Sequence, residues 1–173
     1  ISQAFKFHSE GNIVKAAKYY QHFIDQGFKD HRVFSNYGVI LKDLGKLQEA
    51  EKLYRKAIEL KPDYAMAHSN LGNIFKDLGE LQEAEKSTRK AIEIKPDYAM
   101  AHLNLGNTLN DLGQLQEAEL SYHKAIEIKP DYAQAHSNLG IILRDLGKLQ
   151  DAELSYHKAI EIKPDLADAH LNL

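Results

Sequence analysis

The sequence predicts an all-α solenoid of stacked two-helix repeats. Three observations carry that expectation. The string "LGKLQEAEKLYRKAIELKPDYA" at Leu44 returns in close variants at Leu78, Leu112 and Leu146, always 34 residues on. Proline occurs only in Lys-Pro-Asp, once per period, at Pro62, Pro96, Pro130 and Pro164. Glycine and alanine recur at fixed places inside each period, where two helices could touch closely. Segments 65–98 and 99–132 agree at about 26 of 34 positions. A fixed period of this length marks a repeat array and not a single-core globule.

In chain order, residues 1–30 form a degenerate copy. Ala4, Phe7, Gly11, Ala16 and Tyr20 stand where the next copy has Gly38, Leu41, Gly45, Ala50 and Tyr54, and its end, "QGFKD", lacks Lys-Pro-Asp. Residues 31–64, 65–98, 99–132 and 133–166 are complete copies. Residues 167–173 open a further copy, so the array is expected to continue beyond them. His170 and Leu173 are expected to dock on the preceding repeat as a makeshift cap.

Each Lys-Pro-Asp should end one helix and start the next, because proline lacks the N–H and clashes with the preceding turn. Asp63, Asp97, Asp131 and Asp165 are then placed as N-caps, worth about 1 kcal/mol each. Within each repeat Gly45, Gly79, Gly113 and Gly147 fall where the first helix must stop, the usual place for glycine at C′. Below, positions are numbered from residues 31, 65, 99, 133 and 167. At about 100° per residue, first-helix positions 4, 7, 8, 11 and 14 share one side. Positions 2, 5, 6, 9, 12 and 13 share the other, a mixed face of Met, Ser, Leu, Asn, Lys and Asp. The second helix carries an apolar stripe at 17, 20, 24, 27 and 28, with Glu and Lys outside. One repeat alone buries too little apolar surface, so neighbours must stack.

Composition narrows the function. Net charge is −3 from 22 basic and 25 acidic residues, which gives no electrostatic footprint for nucleic acid or an anionic membrane. No apolar run approaches the roughly 20 residues of a membrane span, and no signal peptide is visible, so a cytoplasmic location is expected. Cysteine is absent, which removes disulfides, thiolate chemistry and Cys-ligated zinc. No phosphate loop, nucleophile elbow or HExxH motif occurs. Acid pairs such as Glu83 and Glu85 recur in every repeat with cations nearby, the pattern of a solvated face. The chain is expected to be non-catalytic and to hold no cofactor. His68, His102, His136 and His170 lie one period apart at position 4, too far apart to share an ion across helices spaced about 8–10 Å. They read as packed, hydrogen-bonded side chains.

The period resembles the tetratricopeptide repeat. Leu71, Leu105 and Leu139 at position 7 match that family, as do Gly38, Gly72, Gly106 and Gly140 at position 8. So do the alanines at 20 (Ala50, Ala84, Ala118, Ala152) and 27 (Ala57, Ala91, Ala125, Ala159), and the prolines at 32. Departures are His or Phe34 at position 4, where the family often has Trp, and Thr88 at position 24, where Tyr20, Tyr54, Tyr122 and Tyr156 stand elsewhere. The resemblance covers the whole chain and implies a right-handed superhelix. It also implies that the face holding positions 2, 5, 6, 9, 12 and 13 lines a concave groove.

On that footing the asparagines are the leading site candidates: Asn36, Asn70, Asn104, Asn138 and Asn172 at position 6, with Asn73 and Asn107 at position 9. A carboxamide donates and accepts, as a peptide backbone does. With repeats about 10 Å apart and an extended peptide advancing about 3.3 Å per residue, one asparagine would meet every third residue or so. Lys42, Lys76 and Arg144 at position 12 add positive charge, offset by Asp43, Asp77 and Asp145 beside them. Met66 and Met100 at position 2 offer adaptable apolar contact. Asparagine at these places can equally solvate the groove or bond a neighbouring helix, and both readings stand.

The wording "AHSNLGN" and "KPDYA" is similar to repeats preceding the catalytic region of O-linked N-acetylglucosamine transferases, where an asparagine ladder holds substrate polypeptide, and to bacterial arrays. The chaperone-binding subfamily clamps a C-terminal carboxylate with basic residues at positions 2 and 5. Here position 5 is Ser or Leu, and position 2 is basic only at Arg32, so that ligand is disfavoured. The expected function is a scaffold binding an extended peptide or a helix in its groove. The alternatives are the substrate-recruiting arm of a larger glycosyltransferase or sulfotransferase, and an array that self-associates through uncapped ends.

Overall fold

The computed structural model describes residues 1–167 and 169. Among the described residues ten α-helices follow one another: α1 (Ser2–Ser9), α2 (Ile13–Asp25), α3 (His31–Asp43), α4 (Leu47–Leu60), α5 (Ala65–Asp77), α6 (Leu81–Ile94), α7 (Ala99–Asp111), α8 (Leu115–Ile128), α9 (Ala133–Asp145) and α10 (Leu149–Ile162). No strand occurs among the described residues. Consecutive helices pack as hairpins. Odd-numbered helices also touch the next odd one, α3 on α5, α5 on α7 and α7 on α9, whereas the even-numbered ones make no comparable contact among the described residues. Two rows with unequal spacing must curve. The odd helices therefore line the inside of the superhelix and the even helices its outside.

Each first helix ends as the sequence predicts. Gly45, Gly79, Gly113 and Gly147 all have φ between 74° and 80°. The chain closes a Schellman motif there: Gly45 N–H donates to Lys42 O and Lys46 N–H to Leu41 O, both at 2.8 Å. Gly11 repeats the motif in the degenerate copy, with Asn12 N–H on Phe7 O at 2.8 Å.

The N-caps differ from expectation. Asp63, Asp97 and Asp131 do not cap the following helices, which start one residue later with Tyr64, Tyr98 and Tyr132 as N-caps and no side-chain cap bond. Lys-Pro-Asp-Tyr forms a turn of its own, closed by Tyr64 N–H on Lys61 O at 3.1 Å. The aspartate is taken up in that turn. The repeat without proline behaves differently: Asp30 sits at the true cap position and accepts from Arg32 N–H at 2.8 Å. Around Asp165 the last copy closes the same turn, Leu166 N–H donating to Lys163 O at 3.1 Å, while the docking of His170 and Leu173 lies outside the described residues.

In place of the aspartates, the position-4 histidines fasten each turn to its helix. Nε2 of His68, His102 and His136 lies 2.8, 2.8 and 3.0 Å from the carbonyl oxygen of Pro62, Pro96 and Pro130. A carbonyl only accepts, so Nε2 carries the proton.

The core is a column of small residues and tyrosine rings. Ala50, Ala84, Ala118, Ala57, Ala91, Ala125 and Ala159 are fully buried. A Cβ added at Gly106 or Gly140 would stand 2.5 Å from the ring of Tyr122 or Tyr156, and at Gly38 it would stand 2.9 Å from Tyr54. At Gly38, Gly106 and Gly140 the position-24 ring of the same repeat occupies the space a Cβ would need. Thr88 interrupts this column. One apolar cluster ends at Ala84 and another begins at Leu103, and between them Thr88, Ser69 and Asn104 are all buried. The smaller side chain goes with closer packing of α6 on α5, and the Cβ position on Gly72 lies 3.1 Å from Ala84 O.

Candidate functional site: the concave carboxamide groove

The inner face carries positions 2, 6, 9 and 12 of the odd helices. Asn36, Asn70, Asn73, Asn107 and Asn138 are half-buried there, while Met66 and Met100 are exposed. Asn172 lies outside the described residues.

The asparagines are set by the tyrosines behind them. The position-24 hydroxyl of one repeat lies near the position-6 carboxamide of the next at Tyr20, Tyr54 and Tyr122. Asn36 Nδ2 donates to Tyr20 Oη at 3.4 Å. Asn70 stands close enough to the Tyr54 hydroxyl to stabilise its phenolate, yet the geometry falls short of a hydrogen bond and leaves that oxygen unpartnered. Where Thr88 replaces tyrosine, no hydroxyl reaches forward. Asn104 turns inward instead, is only 4% exposed, and donates from Nδ2 to Ser69 Oγ at 3.0 Å.

Asn107 and Asn138 form a connected pair. Tyr122 Oη donates to Asn107 Oδ1 at 2.9 Å, and Asn138 Nδ2 donates to the same oxygen at 2.7 Å. Gln134 Nε2 donates to Asn138 Oδ1 at 2.8 Å. The Asn107 oxygen is thus doubly occupied, while its Nδ2 donates to no group among the described residues. Lys76, Asn107, Asn110, Asp111, Tyr122, Asn138 and Ile141 enclose a cleft of about 220 Å³ at this point.

The position-12 cations do not project freely into the groove. Lys42 Nζ lies 3.6 Å from Asp77 and Lys76 Nζ 3.6 Å from Asp111, each joining one repeat to the next. Arg144 lies 3.2 Å from Asp145. Carboxylates therefore offset these charges. Burial pushes the Tyr54 and Tyr122 hydroxyls well above the ordinary phenol range, with Asp43 and Asp111 adding to it and the facing asparagines opposing it.

Two features of the groove go beyond the sequence reading. Tyr64, Tyr98 and Tyr132 at position 34 border it beside the methionines, with Tyr132 Oη on Met100 Sδ at 3.2 Å and Tyr64 Oη on Met66 Sδ at 3.6 Å. Their recurrence in "KPDY" is the signal for them in the sequence. At the N-terminal end Phe5, His8, Arg32, Asn36, Tyr64 and Met66 enclose a second cleft of about 460 Å³. The degenerate copy supplies Phe5 and His8 to it. Among the described residues no group of three or more His, Cys, Asp or Glu converges as a metal site. No helix among them is long and apolar enough to cross a membrane.

Helix hairpins stacked at a 34-residue period, with glycine-seated rings and a concave inner face, define an α-helical repeat protein. The chain belongs to the tetratricopeptide repeat family. Models described as TPR repeat match residues 38–79 and 106–143, and models described as tetratricopeptide repeat match 65–98, 133–166 and 88–119. Together they run without a gap from 38 to 166. A search of curated proteins finds no significant match. Among solved structures the chain is similar to TTC0263, a thermophilic TPR protein of Thermus thermophilus, with TM-score 0.81, 20% identity, and 99% of this chain and 93% of that one covered. It is similar to MamA 41-end from Desulfovibrio magneticus RS-1, with TM-score 0.79, 20% identity, and 96% and 94% covered. It is also similar to YrrB, described as a TPR protein with an unusual peptide-binding site, with TM-score 0.74, 22% identity, and 99% and 88% covered. At these identities the likeness is one of fold.

Proposed function

We propose that this chain is a non-catalytic protein-interaction scaffold that binds an extended peptide along its concave face. The observation that carries the reading is Asn107. Its oxygen is held by Tyr122 and Asn138, which fixes the carboxamide and leaves its N–H donors facing a cleft lined by further asparagines. A held donor loses little side-chain entropy on binding, and a peptide carbonyl is the natural acceptor for it. Asn70, Asn73 and Asn110 extend the row, each contact worth about 0.5–1.5 kcal/mol net. Such contacts hold backbone and read little of its side chains. Selection is left to the ends of the row, where the aromatic N-terminal cleft favours an apolar side chain. Neutralised position-12 cations argue against a ligand chosen for acidity, and the balanced net charge argues against nucleic acid. YrrB's described peptide-binding site supports the reading by analogy of fold.

The test is a random peptide library selected on the wild-type chain, with bound peptides assayed against Asn107→Asp. That change keeps the oxygen that Tyr122 and Asn138 need and removes the open donors. Peptides mapping to the groove should lose about tenfold in affinity, matching one hydrogen bond. Unchanged binding would remove the carboxamide row from the explanation.

A further inference from the structure

Near-identical repeats supply an internal standard for the outer surface. Position 19 of the second helix is acidic in four repeats, at Glu49, Glu83, Glu117 and Asp151, but is Lys15 in α2. Position 22 is Lys18, Lys52 and Lys86 in the first three second helices and then Leu120 and Leu154. α4 and α6 each carry three acids and three Lys or Arg. α2 carries two lysines against Asp25, whereas α8 and α10 each carry three acids against a single lysine. The convex face thus runs from basic at one end to acidic at the other.

Lys15 and Lys18 meet no carboxylate among the described residues, whereas Arg55 and Arg89 hold Glu51 and Glu85 at 2.8 and 2.7 Å. Phe7, Lys15, Lys18, Tyr19 and His22 enclose a cleft of about 430 Å³. Its floor is the Phe7–Tyr19 pair, centroids 5.4 Å apart, with Lys15 Nζ 5.1 Å above the Phe7 ring. On α10, Asp151 meets no Lys or Arg among the described residues, and Glu153 faces only His157, whose Nε2 lies 3.8 Å away. Leu154 is 67% exposed beside them, and Leu149 and Leu120 are exposed nearby.

We propose that the chain associates head to tail with a second copy of itself, the basic aromatic cleft of α1–α2 receiving the acidic, leucine-bearing outer face of α10. Asp151 and Leu154 are three residues apart and share a helix face, as do Lys15 and Lys18. Leucine can enter the aromatic cleft while the carboxylates meet the two ammonium groups at its rim. Exposed large apolar side chains ringed by unpaired charge mark interaction surfaces. The two surfaces are unlike, so each copy keeps one of each free and the contact propagates beyond a dimer, into an open chain or, if the rotation closes, a ring. This surface lies opposite the peptide groove and stands or falls separately from it.

Sedimentation equilibrium tests it, from micromolar to near-millimolar chain, at low and high salt. The wild-type mass should rise with concentration from the monomer value of 19.6 kDa and fall back when salt screens the ion pairs. Lys15→Glu with Lys18→Glu should be monomeric. So should Leu154→Lys, which restores the residue found at that position in α4 and α6. Both changes are on exposed side chains, and circular dichroism checks that each variant is folded. Mixed in equal amounts, the two variants should form a dimer and nothing larger, because one intact cleft and one intact α10 face remain. A wild type that stays monomeric throughout, a variant that associates as the wild type does, or a mixture that stays monomeric would overturn the proposal.

Discussion

Gly106→Ala tests how the repeats are held together. The new methyl would stand 2.5, 2.7 and 2.9 Å from three atoms of the Tyr122 ring, against ordinary contacts of 3.4–4 Å. The ring must withdraw by about 1 Å, which carries its hydroxyl out of reach of Asn107 and costs about 0.5–1.5 kcal/mol. Overpacking adds about 1–3 kcal/mol. Against this, alanine gains about 1 kcal/mol over glycine in a helix. The net is a loss of about 0.5–3.5 kcal/mol, read as a lower urea midpoint. Two controls separate the causes. Gly113→Ala meets nothing within 4 Å but has φ 74°, so its cost of about 1–2 kcal/mol is conformational. Tyr122→Ala should remove most of the Gly106→Ala penalty when the two are combined, because the obstructing ring is gone. A stabilised Gly106→Ala, or strict additivity with Tyr122→Ala, would refute the ring-on-backbone account.

Three further outcomes follow from the same geometry. Asp30→Ala should cost about 1 kcal/mol in thermal unfolding as a lost cap, whereas Asp97→Ala should stay within about 0.5 kcal/mol, since Asp97 precedes a helix capped without its side chain. Asn104→Ala should destabilise by about 1–3 kcal/mol because a buried partner of Ser69 is lost, while half-buried Asn73→Ala should stay near neutral. Stability should also fall at alkaline pH. The folded phenols of Tyr54 and Tyr122 titrate above the unfolded value of 10.0, so the unfolded chain releases its protons first. Their contribution is whole below pH 10 and declines above it, by up to about 1.4 kcal/mol per tyrosine per pH unit. A pH series of urea midpoints with Tyr122→Phe as reference measures this, and a flat profile above pH 10 would contradict it.

The fold was legible because the period is nearly perfect and each punctuating residue has one physical use. Glycine past the first helix has the positive φ its position demands. The caps were misplaced by one residue because Lys-Pro-Asp-Tyr closes its own turn, and a proline-bounded aspartate looks the same in sequence whether it caps or turns. "QGFKD" held the correction, since its aspartate lies one place later. The spacing of the histidines marks them as packed and hydrogen-bonded, but their partner, the carbonyl of the turn proline, is a matter of three-dimensional reach. The asparagines read alike in sequence and differ in space. Asn36 bonds the tyrosine hydroxyl sixteen residues earlier, at Tyr20, whereas Asn104, with Thr88 at that place, bonds Ser69 instead. Position 24 was noted as a departure; its consequence for Asn104 needed the stacking of α6 on α7.

The central claim is that a held carboxamide row grips peptide backbone. It is tested most directly by isothermal titration of one groove-binding peptide, selected on the wild type, against Asn107→Asp and a folded control, Asn12→Asp, in which only an outer cap is changed. About tenfold weaker binding for Asn107→Asp alone is the expected result. Equal affinity in all three proteins would contradict the claim.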